Sequence, residues 1–336
     1  MGEGDRIQLV HGDGGEATRE LIEGFFLPRI GSEELRVAGD AVRPGEETDL
    51  WMTTDSFVVS PLQFPGGDIG GLAVNGTVND LAVAGARPRW FSAGFILEEG
   101  LPLEVLGTVL DSMGRAARIA GVRVVAADTK VVERGAADGI YINTTGVGTT
   151  LRGIDLGPHR VRPGDAVVVT GPVGDHGVAI MAGRAGISFE TEVTSDCAPL
   201  WPLTGRILEG LGGGVHFMRD PTRGGLATVL GELARAAGCR VTVEEARIPG
   251  RPGVRGAAEM LGLDPLYLAC EGQAVIVVES ARAERVLEII RSGDGPWDPA
   301  IIGRVEEGPV GVSLTTELGG TRPLGPLRGD PLPRIC

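Results

Sequence analysis

The sequence predicts an α/β (α+β) protein of two domains, each a mixed sheet covered by helices. The chain has 336 residues, too many for one ordinary hydrophobic core. Short apolar runs alternate with amphipathic stretches in both halves, and the Pro- and Gly-rich segment "LGPHRVRPGD" between the halves is typical of a linker. We therefore predict an N-terminal domain over 1–155, a C-terminal domain over 156–318, and a flexible Gly/Pro-rich tail over 319–336 that ends in Cys336.

The first half of the chain is predicted to begin with a strand over 49–59 that ends in a turn at Thr54-Asp55-Ser56. A Gly-rich loop then runs into a helix within 65–86, with Asn75 and Asn79 on its more polar face. Its buried stripe is predicted to comprise Leu72, Val78, Leu81 and Ala82. The rest of this half is predicted to contain a strand over 89–97, a helix over 102–121, a strand over 122–132 and a closing segment over 139–150.

The second half restarts the pattern with a strand, a glycine turn and a helix over 165–180. The stretch 217–238 is predicted to be a loop and a helix, with Asp220 or Thr222 as the N-cap. Apolar runs over 273–279 and 300–316 flank a further predicted helix over 281–292.

Composition excludes several classes of protein. The chain carries 31 basic and 45 acidic residues, a net charge of −14, which disfavours a general nucleic-acid binder because such binders neutralise phosphates with Lys and Arg. No apolar run approaches the roughly 20 residues of a membrane span, and the N-terminus lacks the layout of a signal peptide. We therefore predict a cytoplasmic protein that binds neither nucleic acid nor membrane.

The four cysteines are scattered and include no CxxC pair, which argues against a disulfide framework and a zinc ribbon. Cys197, Cys239 and Cys270 are expected to be small buried hydrophobic residues. Cys336 follows a stretch dense in Gly and Pro, where nothing predicts a core.

Lys130 is the single lysine among the 31 basic residues. A lysine retained in a chain that otherwise uses arginine indicates a position that needs a compact charge, or an amine that can lose its proton. The alternative is a chance survivor of the compositional bias.

The candidate residues for catalysis or metal binding are mainly carboxylates. The sequence contains no P-loop and no HExxH motif. Aspartates beside glycines or at predicted strand ends are Asp13, Asp55, Asp68, Asp80, Asp128 and Asp175. Hard oxygen ligands in such places suit Mg²⁺ bound to phosphates, and glycine loops at helix starts offer N–H groups to those phosphates. Each aspartate alone is equally explained as a turn former or an N-cap.

Several segments resemble the HypE family of hydrogenase maturation factors. They are "TTDSFVVSPLQFPGGDIGGLAVNGTVNDLAVAGARP", "AADTKVV", "GDHGVAIM", "RDPTRGGLAT", "LGLDPLYLACEGQ" and the terminal "LPRIC". The resemblance covers nearly the whole chain. The terminal motif is highly specific, whereas the aspartate motifs alone indicate only the wider superfamily of aminoimidazole ribonucleotide synthetase, selenophosphate synthetase and thiamine-monophosphate kinase.

This resemblance implies a two-domain aminoimidazole ribonucleotide synthetase-like fold that forms a homodimer through its N-terminal domain, with ATP bound near that interface. It implies that Cys336 receives a carbamoyl group from a HypF-like carbamoyltransferase. ATP then drives dehydration of this S-carboxamide to a thiocyanate, and the cyano group passes to iron on the HypC–HypD complex as a ligand of the [NiFe] hydrogenase centre. The tail would carry the thiol between these sites.

The resemblance also implies roles for individual residues. The expected Mg²⁺ ligands are Asp55, Asp80 and Asp128. Asn79 is expected to be a further ligand or a phosphate contact, and the remaining expected nucleotide-binding residues are Gly66, Gly67, Asp68 and Thr129. Lys130 would neutralise charge on the transferred phosphoryl group or orient the carboxamide, and Glu271 would be the base for the amide N–H. Cys270 departs from the family, which commonly has Asn before this Glu-Gly pair.

Two alternatives stay open at this point. One is another ATP-dependent member of the superfamily, which phosphorylates a small molecule or makes an amidine, although a diffusible substrate needs no tethered thiol. The other is a non-catalytic thiol carrier, although such a carrier needs no acidic nucleotide site.

Overall fold

The computed structural model describes residues 7–12, 15–30, 39–45, 48–185, 193–325 and 334–336. Asp13 and residues 326–333 of the predicted tail therefore lie outside the described residues. The described strands form two large sheets and one short hairpin, with helices between and beside them, which confirms the α/β class. Within the described residues, we find no helix that combines the length and apolarity needed to cross a membrane.

The first sheet has four strands in the order β1-β6-β4-β5. They are β1 (Leu50–Phe57), β4 (Ala86–Glu98), β5 (Arg123–Val132) and β6 (Ile140–Thr150). Strand β6 pairs antiparallel with both β1 and β4, whereas β4 pairs parallel with β5. The hairpin β2 (Gln63–Phe64) and β3 (Gly67–Asp68) lies between β1 and the first long helix.

The second sheet has seven strands in the order β13-β12-β9-β11-β7-β10-β8. They are β7 (Ala166–Val169), β8 (Val215–Arg219), β9 (Arg240–Glu244), β10 (Val275–Val278), β11 (Ala300–Glu306), β12 (Gly311–Thr315) and β13 (Thr321–Leu324). The central strands β7 and β10 are buried along their whole length, which explains their unbroken valine and isoleucine runs. The boundary predicted between the domains at 155/156 stays a prediction.

The helices outside the short N-terminal region cover these sheets. They are α3 (Ile69–Val83), α4 (Leu103–Ala120), α5 (Asp175–Ala185), α6 (Trp201–Leu211), α7 (Gly225–Ala237), α8 (Pro252–Leu261) and α9 (Ala283–Arg291). The N-terminal region contains α1 (Glu16–Leu21), a π-helical turn (Ile22–Phe26) and α2 (Leu27–Ile30). Elements of the second half that were not predicted from the sequence are β8, β9, β13, α6 and α8.

Helix α3 is buried on nearly every side because it contacts the first sheet, α4, α6 and β8. The prediction of a polar face carrying Asn75 and Asn79 is therefore wrong, since both side chains are buried. Strand β1 also differs from its prediction. Thr54, Asp55 and Ser56 lie inside the strand and pair with β6, so they form no turn.

The C-terminal segment is more ordered than predicted. Residues 321–324 form the edge strand β13, where Pro323 is tolerated because an edge strand leaves N–H positions unpaired. Residues 321–324 of the predicted tail are therefore a strand of the second sheet. The last three residues, 334–336, pack against the first domain, and the side chains of Ile335 and Cys336 are buried. The prediction that no core surrounds Cys336 is wrong.

Candidate active site between the two domains

Three carboxylates meet where the two domains face each other. Asp40 precedes β1, Asp80 lies near the end of α3, and Asp220 directly follows β8. One oxygen of each lies within 4.8 Å of the others. The hydroxyl oxygen of Thr53 is 2.8 Å from Asp80 Oδ2 and from the backbone oxygen of Asp40, which ties β1 to the cluster. Asp220 is buried, and its Oδ2 has no hydrogen-bond partner.

The cluster holds more negative charge than its surroundings neutralise. Burial, together with the neighbouring Asp40, raises the pKa of Asp220 to about 8. Burial, followed by repulsion from Asp220, Asp40 and Asp55, raises the pKa of Asp80 well above its usual range. The guanidinium of Arg219 partly offsets this charge, because its Nε lies 2.9 Å from Asp40 Oδ1. A divalent cation would offset the remainder.

The donor set fits Mg²⁺. Three carboxylates converge, one of which, Asp220, has a buried oxygen without a partner, and hard oxygen ligands are those that Mg²⁺ prefers. Asp55 on β1 adds to the same negative field, and burial raises its pKa, while Arg223 opposes the rise. Of the predicted ligands, the structure thus brings Asp55 and Asp80 into one electrostatic cluster, and it adds Asp40 and Asp220.

Asp128 lies apart from this cluster within a single chain. It is in β5, which is separated from β1 by the strands β6 and β4. Three strand spacings of about 4.8 Å therefore place Asp128 about 14 Å from Asp55. Its side chain is 72% exposed and accepts a 2.5 Å hydrogen bond from Lys130 Nζ. That bond and the Thr129 N–H lower the pKa of Asp128. The prediction that Asp128 shares a metal ion with Asp55 and Asp80 is therefore not met within one chain.

Glu271 is the predicted base, and the structure buries it beside this cluster. Its backbone follows Cys270, whose N–H donates to the carbonyl of Pro221, so the Glu271 loop adjoins the Asp220 loop. Burial, followed by Asp220, Asp196 and Asp55, raises the pKa of Glu271 well above its usual range. Its Oε1 is buried without a partner. A buried carboxylate with a raised pKa has the properties of a proton acceptor.

The backbone of Glu271 is held on both sides by the side chains of Asn79 and Asp196. Asn79 Nδ2 donates to the Glu271 carbonyl (3.1 Å), and Asp196 accepts from the N–H groups of Glu271 (3.0 Å) and Gly272 (3.2 Å). Asn79 Oδ1 accepts from Leu200 N–H (2.7 Å). In this arrangement the Asn79 amide makes hydrogen bonds to these loops, and its expected role as a metal ligand or phosphate contact stays a prediction.

The glycine loop before α3 is a tight hairpin turn. Gly66 has φ +90°, and a Cβ there would lie 2.8 Å from the backbone nitrogen of Ser195. A Cβ on Gly67 would lie 2.9 Å from the ring of Phe64. Asp68 caps α3, since its Oδ1 accepts from the N–H groups of Gly70 (2.8 Å) and Gly71 (3.0 Å). These two N–H groups therefore already have an anionic partner, and phosphate contacts at Gly66, Gly67 and Asp68 stay a prediction.

The terminal thiol docks at the edge of this region. The N–H of Val58 donates to a carboxylate oxygen of the terminal residue Cys336 (3.0 Å), and the N–H of Ser60 donates to the Arg334 carbonyl (3.3 Å), so the terminus runs antiparallel to the continuation of β1. Arg334 is held by Asp138 (2.8 Å) and by the Val58 carbonyl. Its φ of 56° is in the left-handed region, a strain that these contacts offset. Cys336 is only 8% exposed.

Sequence reasoning missed Asp40, Asp196 and the role of Asp220. Asp220 had the same signal as Asp128, because it directly follows an apolar run that is a strand. The quoted segment "RDPTRGGLAT" contains it, but it was assigned only as an N-cap. Asp40 and Asp196 lie in irregular segments, and no local pattern marks them.

Comparison with known proteins places the chain among AIR synthase related proteins. Residues 38–150 match the model of their N-terminal domain, and residues 162–314 match that of their C-terminal domain. Carbamoyl dehydratase HypE of Bradyrhizobium diazoefficiens is 48% identical over 335 residues, which cover 98% of this chain and 96% of that protein.

Solved structures agree with this assignment. A crystal structure of the hydrogenase maturation protein HypE in complex with ATP matches with a TM-score of 0.83 and 45% identity, covering 98% of this chain and 100% of that one. The crystal structure of a HypE–HypF complex matches with a TM-score of 0.86 and 44% identity, covering 90% of this chain and 98% of the matched chain.

Proposed function

The chain belongs to the HypE family of carbamoyl dehydratases, and from this membership we propose that it uses ATP to dehydrate a carbamoyl group carried on its own Cys336. One observation carries the proposal. The terminus, which ends in Cys336, docks against the residues directly after β1, the strand that carries Asp55, and Asp55 acts electrostatically on both the carboxylate cluster suited to Mg²⁺ and the buried Glu271. The product, a thiocyanate, would supply the cyanide ligand for the iron of a [NiFe] hydrogenase.

The proposed reaction balances as follows. The S-carboxamide and ATP give the S-cyano group, ADP and phosphate. The amide oxygen leaves as part of the phosphate, because an amide oxygen is a poor leaving group until it is phosphorylated. The amide nitrogen gives up both protons, one of which is carried by the hydrogen phosphate and the other released. ATP supplies the phosphoryl group, and the residues of the chain must position the two partners and accept a proton.

Mg²⁺ would be held by Asp80 and Asp220, with Asp40 and Asp55 beside them. It would supply positive charge to the phosphates and to the carboxylates that now repel one another. The buried, partnerless oxygen of Asp220 supports this assignment, because such an oxygen is costly to bury unless a cation or proton satisfies it.

Glu271 would accept the amide proton. Burial raises the pKa of Glu271 and so makes its carboxylate a stronger proton acceptor than an exposed one, and its unpartnered Oε1 is available for a substrate N–H. Because Asn79 and Asp196 hold its backbone, the carboxylate keeps one position while the nucleotide and the tail come and go.

Lys130, Asp128 and Thr129 would act at a homodimer interface formed by β5. Every residue of β5 except Val132 is exposed, although the strand carries the large apolar side chains of Val124, Val125 and Val131. Such an apolar edge strand is a ready surface for pairing with a second copy. We propose that dimerisation through β5 brings Lys130 and Asp128 to ATP bound near that interface.

The proposal includes partners. A HypF-like carbamoyltransferase would load Cys336, and a HypC–HypD complex would accept the cyano group, all in the cytoplasm. The chain's similarity to the HypE of the HypE–HypF structure supports the first partner.

The test is to incubate the protein with a HypF-type carbamoyltransferase, carbamoyl phosphate and ATP, and to weigh the C-terminal peptide. We expect the carbamoyl adduct, followed by an adduct lighter by one water when Mg²⁺ and ATP are present. A persistent carbamoyl adduct with no ATP consumption would instead support a non-catalytic thiol carrier. Phosphorylation of a free small molecule would support another activity of the superfamily.

A further inference from the structure

His176 lies at the start of α5 and contacts the docked terminus. The ring is fully buried, its Nε2 is 2.8 Å from the carbonyl oxygen of Ile335, and its Nδ1 is 2.8 Å from Ser195 Oγ. The ring of Phe64 packs edge-to-face with the His176 ring, and their centroids are 5.4 Å apart. His176 therefore touches the residue next to the thiol, although the proposed chemistry gives it no part.

The partners of the ring assign its tautomer. A carbonyl oxygen only accepts, so Nε2 must carry the hydrogen and donate to Ile335. Burial lowers the pKa of His176 to about 4, so the ring is neutral and Nδ1 accepts from the Ser195 hydroxyl. Ser195 Oγ in turn accepts from the N–H of Cys197 (3.0 Å). Each polar atom in this series of hydrogen bonds is thus assigned as a donor or an acceptor.

The same short loop also reaches Glu271. Asp196, between Ser195 and Cys197, accepts from the N–H groups of Glu271 and Gly272. A continuous set of bonds therefore runs from the Ile335 carbonyl through His176 and the loop 195–197 to the backbone of Glu271, the proposed base. The loop 195–197 packs closely against Gly272, because a Cβ on Gly272 would lie 1.8 Å from the backbone oxygen of Asp196.

We propose that His176 is a positioning residue that holds the C-terminal cysteine in register with Glu271 for the dehydration step. The inference rests on the function proposed above. It predicts opposite effects on two steps. A cysteine residue that is only 8% exposed cannot enter the active site of another protein, so loading of Cys336 needs the undocked terminus. Dehydration by this chain needs the docked terminus.

Two substitutions separate positioning from structure. His176→Leu removes the donor to Ile335, whereas His176→Gln keeps an N–H donor at the end of a side chain of similar reach. His159→Leu is the matched control, because His159 is an exposed histidine paired only with exposed Asp155 within the described residues.

The first measurement is the alkylation rate of Cys336 in the free, full-length protein with N-ethylmaleimide, followed by peptide mass spectrometry. Loss of one buried hydrogen bond should raise this rate by about tenfold in His176→Leu. We expect His176→Gln to restore most of the protection and His159→Leu to match wild type. An unchanged rate in a folded His176→Leu protein would overturn the proposal.

The second measurement follows the adduct on Cys336 with the carbamoyltransferase, carbamoyl phosphate and ATP. We expect His176→Leu to be carbamoylated at least as fast as wild type and dehydrated about tenfold more slowly, with partial rescue by His176→Gln. Equal slowing of both steps would mean a structural role and overturn the proposal. Should wild type form no adduct at all, the proposed function fails, and the alkylation rates still decide whether His176 holds the terminus.

Discussion

The side-chain amide of Asn79 in α3 donates to the backbone carbonyl of Glu271, so a helix of the first domain holds the loop of the second that carries the buried glutamate. The same amide group donates to the Ala198 carbonyl (3.0 Å) and accepts from Leu200 N–H (2.7 Å). Three hydrogen bonds from one fully buried side chain join the two domains. The proposed metal site and the proposed base therefore share one rigid support.

Asp80→Asn is expected to reduce ATP hydrolysis by at least about a hundredfold with the fold intact. The amide keeps the shape of the carboxylate but loses the charge that Mg²⁺ needs. The measurement is Mg²⁺-dependent phosphate release by the purified protein, with circular dichroism to check folding. Asp155→Asn is the control, because Asp155 is an exposed aspartate that pairs with His159 and Arg160. Wild-type hydrolysis by folded Asp80→Asn would remove Asp80 from the metal site.

Asp220→Asn is expected to stabilise the metal-free protein increasingly as the pH rises. The folded-state pKa of about 8 lies above the usual value of 3.8, so between these values unfolding releases a proton and the wild type loses stability with rising pH. An asparagine has no such proton to release. The melting temperature of the variant minus that of wild type should grow from pH 4 to pH 8 in a chelator.

Added MgCl₂ provides the second half of that test. It should raise the melting temperature of wild type, because the cation binds only the folded carboxylate cluster, and it should raise that of Asp220→Asn much less. Equal responses of the two proteins to MgCl₂ would show that Asp220 is no ligand.

The sequence predicted residues that a local pattern marks. Asp55, Asp80 and Glu271 stand in motifs, and all three come together between the domains. Asp40 could not be found, because only the ion pair with Arg219 and the packing of two domains bring it to the cluster. Asp128 was misplaced because strand order is a tertiary property, and β5 is the far edge of the sheet from β1.

The docking of the terminus was also outside the reach of sequence patterns. Three residues after a Pro- and Gly-rich stretch show no periodicity, and their contacts include Val58 and His176, which are distant in the chain. The prediction of a polar face on α3 was wrong for a related reason. Its asparagines indicate a polar face in the sequence, but the second domain buries them.

Lys130→Arg is expected to slow dehydration by about tenfold although it conserves the charge. A guanidinium is larger and planar, and it cannot reproduce the compact 2.5 Å contact between Lys130 Nζ and Asp128. The measurement is the rate at which the carbamoyl adduct loses one water. Arg123→Lys in the same strand is the control for a change of basic residue in β5. An unchanged rate in Lys130→Arg would mean that the single lysine is a compositional remnant.

Charges placed on β5 are expected to dissociate the proposed homodimer. Val125 and Val131 are exposed in the single chain, and Val125→Asp with Val131→Asp would bury four like charges in a symmetric interface. Light scattering after size exclusion should report a dimer for wild type and a monomer for this double variant. Met260→Asp, on the exposed side of α8, is the control and should remain dimeric. A monomeric wild type at micromolar concentration would refute the interface.

Cys336→Ala is expected to abolish formation of both adducts while leaving ATP binding and the two domains intact. The thiol is buried in the docked state, but it belongs to the last residue of the chain and its loss affects docking rather than either sheet. Truncation of a small side chain costs about 1 kcal/mol or less, which weakens docking without unfolding the protein. Cys336→Ser is a closer steric match and should also stay unmodified, because a hydroxyl is a far weaker nucleophile than a thiolate at neutral pH. The decisive measurement is the intact mass of both variants after incubation with the carbamoyltransferase, carbamoyl phosphate and ATP. A carbamoyl or cyano adduct on Cys336→Ala would place the chemistry on another residue, of which Cys197 is the first to test because, among the remaining cysteines, it is the least buried.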